Sequence, residues 1–161
     1  MKSDTAAFKR RVRNHYRKHG RSRLPWRGTA NPYRILVSEV MLQQTQVSRV
    51  IPFYKDFIRQ FPTVHTLADA PLGDVLRAWQ GLGYNRRAKM LHETAKTITT
   101  IYRRKFPRDY EELRKLAGVG EYTAKAVRVF AFNEPEVLIE TNIRSVFIQH
   151  FFPSKEKLHD K

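Results

Sequence analysis

The chain has 161 residues, 31 Lys+Arg against 15 Asp+Glu for a net charge of +16, and 41% hydrophobic residues including ten Phe. That content argues for a packed core rather than general disorder, and no apolar run approaches the roughly 18 residues needed to cross a membrane. Cysteine is absent from the sequence, which excludes disulfides, a thiolate-held zinc or iron–sulfur cluster and a cysteine nucleophile within these residues.

Residues 1–13 are basic but lack the apolar stretch of a secretory signal. Phe8, Val12 and Tyr16 recur every fourth residue and predict a helix capped by Asp4 and stopped at Gly20. Residues 21–31 carry Pro25, Gly28 and Asn31 and read as a loop that hands over to a helix at Pro32. From Tyr33, the positions Leu36, Val37, Val40, Met41 and Val47 form one apolar stripe at helical spacing. Helices are expected next over 50–61, with Pro52 in the first turn or at a kink, and over 63–69 behind a Thr63 cap. Another spans 71–79, with proline first and Gly81 after it. A longer basic helix covers 85–102, and a short one at 109–116 is capped by Asp109 and closed by Gly118. Segments 122–132 and 141–152 complete the series, and the strand-like run 137–139 is too short to build a sheet. The fold class is all-α. The final KEKLHDK at 155–161 reads as a truncated end or a short last helix.

The charge is uneven. Residues 1–28 hold ten Lys/Arg and a single acid, Asp4, and a second basic run includes Arg86, Arg87, Lys89, Lys96 and 103–105. No acidic block balances them, so phosphate binding is favoured over plain solvated helix faces, with salt-dependent affinity and no sequence information. Nucleic acid is the expected partner, with Arg86 and Arg87 among its phosphate contacts.

Two segments carry chemistry. In LAGVGEYTA at 116–124, two helices flank a Gly-Val-Gly hairpin. Gly118, Val119 and Gly120, with Tyr122 and Thr123 behind them, offer backbone N–H groups to a phosphate at a helix N-terminus. In SEVMLQQTQV, helical spacing would put Glu39, Gln43 and Gln46 on one edge beside the apolar stripe. A carboxyl among apolar neighbours has a raised pKa, which suits a general acid near neutral pH, and amides suit base edges or a gap in a base stack.

LPWR at 24–27, SEVMLQQTQV at 38–47, GLGY at 81–84 and GVG at 118–120 occur in one order. Together they closely resemble the adenine DNA glycosylases of the MutY type, within the helix–hairpin–helix superfamily that includes endonuclease III. The resemblance covers about residues 6–150. It implies a two-lobed all-α glycosylase fold with a DNA-binding cleft between the lobes. Residues 30–135 would form a contiguous lobe carrying the hairpin, and 1–29 with 136–161 the second. It further implies that Glu39 protonates the departing adenine, that Gln43 and Gln44 enter the base stack, and that Tyr84 wedges into it. Trp26 and Arg27 would border the base pocket. Tyr122 stands where bifunctional relatives place the lysine that attacks the sugar; tyrosine forms no Schiff base, so lyase chemistry is not expected there. Lys125 reads as a surface or phosphate-facing residue.

The sequence departs from the family in four places. Glu140, in LIETNIR at 138–144, stands where the family has its catalytic aspartate. It keeps the charge that supports a cationic sugar but is a methylene longer, and a misplacement near 1 Å costs on the order of 10²-fold in rate. The family's cluster-binding cysteines are absent, as is the C-terminal domain that reads 8-oxoguanine, and Ala117 replaces the usual proline. The expected protein is a monofunctional DNA N-glycosylase of base excision repair acting on adenine opposite 8-oxoguanine or guanine. It is expected to be monomeric, cytoplasmic and nucleoid-associated, and to need no metal or cofactor. Two other readings stay open: a thymine or uracil mismatch glycosylase, and a non-catalytic helix–hairpin–helix DNA-binding module.

Overall fold

A computed structural model of the chain describes residues 2–152. The expected short helix at 155–161 lies outside the described residues. The elements are α1 (Lys2–His19), α2 (Pro32–Leu42), α3 (Val47–Gln60), α4 (Val64–Asp69), α5 (Leu72–Trp79), α6 (Arg86–Thr100), α7 (Tyr110–Arg114), α8 (Glu121–Phe132) and α9 (Thr141–Phe151). No strand forms among the described residues, so the 137–139 run stays unpaired.

Local chemistry sets most of the starts. Asn31 Oδ1 accepts the Arg34 amide at 3.1 Å and Pro32 fills the first helical position of α2. Thr63 and Thr66 exchange side-chain and backbone bonds in a reciprocal cap on α4. Asp109 accepts the amides of Glu111 and Glu112 at 2.9 and 3.1 Å. Several boundaries differ from expectation. α1 starts at Lys2, so Asp4 lies inside it instead of capping it. α3 starts at Val47, so Pro52 is interior, and Pro71 is the cap of α5 and not its first residue. α6 stops at Thr100 because Arg103 and Arg104 turn left-handed (φ 48° and 68°), and the Arg104 amide bonds back to Ile98 O at 3.1 Å.

The core is drawn from Tyr33 through Val127, with Trp79 and Phe57 fully buried and meeting edge to face at 5.7 Å. Truncating either aromatic to alanine is expected to cost about 3–5 kcal/mol. α2 packs against α3, α6 and α8, and α6 against α4 and α5. Thr94 Oγ1 on α6 donates to Ala117 O at 2.8 Å and ties that helix to the loop before α8. Among the described residues, none of α1 or α9 belongs to this core. Those two helices pair through Phe8, whose ring stands 5.3 Å from Phe147 and 5.0 Å from Phe151.

Candidate active site and nucleic-acid interface

Glu39 sits on α2 with Ser38 and Val40, both buried, on either side of it. Its carboxyl is pushed up to about 7, first by burial and then by the nearby Glu140 carboxylate, because a second negative charge beside the first is unfavourable. Burial also raises the Tyr122 hydroxyl, with Glu39 and Glu140 adding to the shift. Three side chains from α2, the start of α8 and the start of α9 thus share one electrostatic environment. Glu140 occupies the N-cap position of α9 without making a capping bond; its Oε1 instead accepts from Asn142 Nδ2 at 3.2 Å. The helix dipole favours an anion at that end. The arrangement pairs a carboxyl that holds its proton near neutrality with a second carboxylate at a helix N-terminus.

Tyr122, which its place in the sequence puts at the phosphate hairpin and the family resemblance at the lysine position of bifunctional relatives, belongs also to the acid cluster. Sequence spacing carries no signal for this, since it follows from α2 packing on α8. Lys125 takes no part: its Nζ is 2.5 Å from Glu121 Oε1 and lies over the Tyr110 ring.

The hairpin has the backbone that phosphate gripping needs. Gly118 is left-handed at φ 73°, and a Cβ there would stand 2.9 Å from Met90 Cβ, so only glycine fits. Gly120 is the N-cap of the 12-residue α8 and has no side chain to satisfy the first amides, leaving them directed outward. Val119 and Thr123 are buried, and the Val119 amide already bonds to Leu116 O at 3.1 Å. Their side chains serve the core, so what the N-terminus of α8 offers is backbone, the amides of Gly120, Glu121, Tyr122 and Thr123.

The largest difference from expectation lies at the end of α2. The helix does not run to Val47 but breaks after Leu42, and Gln43 and Gln44 form a turn with Gln44 left-handed at φ 53°. Glu39, Gln43 and Gln46 therefore share no helical edge; Gln46 begins α3 as its N-cap. A second turn, Gly81–Tyr84, lies nearby, with Tyr84 left-handed at φ 53° and 62% exposed. Non-glycine residues held left-handed cost of order 1–3 kcal/mol each and concentrate at functional sites.

Arg87 is not turned toward solvent as a phosphate ligand would be. It is buried, and its guanidinium donates to the carbonyls of Val40, Met41 and Gln43, to Thr45 Oγ1 and to Gly83 O. These include the carbonyls that α2 leaves unpaired at its C-terminus, where a cation is also favoured by the dipole. Arg86 is exposed, as a phosphate contact requires. Trp26 packs edge-on against Tyr54 at 5.3 Å, and Arg27 Nη1 donates to Tyr16 Oη at 3.0 Å, anchoring the 21–31 loop to α1.

Among the described residues no group of His, Asp or Glu is placed to hold a metal ion, and the sequence has no cysteine, so these residues do not fit a thiolate-held cluster. Among the described residues no helix is long and apolar enough to cross a membrane.

Comparison with known proteins agrees with this architecture. The adenine DNA glycosylase of Buchnera aphidicola subsp. Baizongia pistaciae is 43% identical over 147 residues, 91% of this chain and 42% of that protein. The thymine-DNA glycosylase of Aeropyrum pernix is 38% identical over 138 residues, covering 85% of this chain and 62% of its own length. The chain thus spans under half to about three fifths of the curated relatives cited. Among solved structures, a thermostable thymine-DNA glycosylase superposes with a TM-score of 0.83 at 26% identity, covering 91% of this chain and 67% of that one. The model of the HhH-GPD superfamily of base excision DNA repair proteins matches residues 37–161. The chain belongs to that superfamily.

Proposed function

We propose that the chain is the catalytic part of a monofunctional DNA N-glycosylase that excises adenine mispaired with 8-oxoguanine or guanine. The observation that carries this reading is the Glu39 carboxyl, held near pKa 7 beside Glu140 and Tyr122. In this mechanism the exposed cations and the α8 N-terminus hold the backbone phosphates, and the Gln43–Gln44 and Tyr84 turns enter the stack. The target nucleotide leaves the duplex and presents its base to Glu39. Glu39 gives its proton to a ring nitrogen of the base as the C1′–N bond breaks and its electron pair leaves with the base. The Glu140 carboxylate supports the resulting cationic sugar, and water adds at C1′ while its proton passes to bulk solvent. Tyr122 supplies no amine and Lys125 is paired with Glu121, which favours hydrolysis over a covalent sugar adduct.

The adenine relatives and the SEVMLQQTQV segment favour adenine. The likeness to two thymine-DNA glycosylases favours thymine or uracil mismatches as the second reading. The protein is proposed to act as a monomer in the cytoplasm, on nucleoid DNA, without a cofactor. Single-turnover excision from A:8-oxoguanine, G:T and G:U duplexes tests the reading. Cleavage of the first and its loss in Glu39→Gln are expected; cleavage of the other two alone selects the second reading. Binding without cleavage of any duplex marks a non-catalytic DNA-binding protein.

A further inference from the structure

Two turns that are 40 residues apart in sequence share one internal support. The Gln43–Gln44 turn and the Gly83–Tyr84 turn each carry a left-handed non-glycine residue, Gln44 and Tyr84, both at φ 53°. Between them lies the Arg87 guanidinium. Its Nη1 donates to Val40 O and Met41 O at 3.0 Å each and also to Gln43 O; its Nη2 donates to Thr45 Oγ1 at 3.2 Å and to Gly83 O at 3.1 Å. The remaining donor, Nε, is buried without a partner among the described residues, so no donor of this arginine faces solvent for a phosphate. The guanidinium carbon also stands 5.1 Å from the Tyr84 ring and 5.7 Å from the Trp79 ring. A planar fork with five donors can serve both turns at once, whereas a lysine ammonium at the same place is a single point.

We propose that Arg87 is a positioning residue that locks the Gln43–Gln44 turn and the Gly83–Tyr84 turn into one rigid unit, so that both enter the duplex together at a fixed spacing. This rests on the glycosylase reading for its consequence, but not for its geometry. Loss of Arg87 frees the carbonyl end of α2 and removes the only group among the described residues that hydrogen-bonds to both turns, through Gln43 O and Gly83 O. Bases are then unstacked less completely, while the phosphate grip at α8 stays in place.

The test compares wild type with Arg87→Lys, which keeps the charge, using amide hydrogen exchange, duplex binding and excision. In free Arg87→Lys, exchange at 43–46 and 83–85 should accelerate together. Affinity for undamaged duplex should keep its wild-type salt slope. At saturating enzyme on an A:8-oxoguanine duplex, single-turnover excision should fall about 10- to 100-fold, the scale of a small misplacement. A 2-aminopurine beside the target should lose its unstacking signal. Excision at the wild-type rate, or exchange that changes in only one turn, overturns the proposal. So does Arg87→Gln with a salt slope lower by about 0.9, the mark of a lost phosphate contact. If the wild type excises from none of the duplexes, the glycosylase reading fails by itself and the exchange data alone decide the brace. Should Arg87→Lys not fold, Thr45→Val removes one of the five bonds together with the Thr45 Oγ1 bond to Gln43 O, so exchange at 83–85 must accelerate along with that at 43–46, by a smaller factor, and acceleration at 43–46 alone overturns the proposal.

Discussion

Replacing Glu39 by glutamine should make the protein more stable at pH 8 while stopping excision. The carboxyl rises from its ordinary 4.5 to about 7 in the folded chain, so folding favours its neutral form. Below about pH 4.5 the proton is bound in both folded and unfolded states and costs nothing. Between 4.5 and 7 only the folded state keeps it, so stability falls as pH rises, and above 7 the full penalty is present. A rise from 4.5 to about 7 would come to about 3.4 kcal/mol if fully expressed; partial contact with water reduces this to about 1–2 kcal/mol. Glutamine keeps the shape and never ionises, so it escapes the penalty. Thermal melts should place Glu39→Gln above wild type by roughly 2–8 °C at pH 8 and level with it near pH 4.5. Equal melting temperatures at pH 8, or a gain that persists at pH 4.5, would refute the buried, proton-holding carboxyl and with it the general acid.

The single-turnover rate of wild type should fall tenfold per pH unit above about pH 7, as Glu39 loses its proton. In Glu140→Gln the inflection should move to lower pH but stay above 4.5, because burial remains when the neighbouring charge is removed; an unmoved inflection separates the two carboxyls. The same variant should be strongly impaired in excision, whereas Glu140→Asp should retain or raise activity. Undamaged-duplex affinity should weaken steeply with salt, and Arg86→Gln should lower the slope by about 0.9; an unchanged slope takes Arg86 off the phosphates. Gly118→Ala should destabilise by about 1–3 kcal/mol in urea unfolding, since it combines a left-handed backbone with a 2.9 Å approach to Met90. Iron chelators should change neither spectrum nor melting temperature of the purified chain, and a chelator-sensitive absorbance would contradict that.

What could be read from sequence was what local chemistry decides. Asn31 before Pro32, Thr63 and Asp109 announced helix starts because their caps bond within three residues. The end of α2 could not be read that way. Its apolar period continues to Val47, and the break at Leu42 is held by a guanidinium more than 40 residues away. A basic run likewise shows charge but not direction: Arg86 faces solvent while its neighbour Arg87 is buried. Tyr122 beside Glu39 is a product of helix packing, to which no spacing rule applies.

The contact between α2 and α8 also fixes a length. In the proposed function α2 carries the acid and α8 begins at the phosphate grip, and Val37, Met41, Ala124 and Val127 on these helices are wholly shielded from water. In the proposed reaction the pair works as a calliper, whose jaws are a gripped backbone and a proton donor and whose opening is set by interior methyl groups. A surface charge can then change how tightly DNA is held without changing which atom the proton reaches. A one-carbon change deep in the helix seam would do the reverse, leaving affinity intact while the proton arrives beside its target.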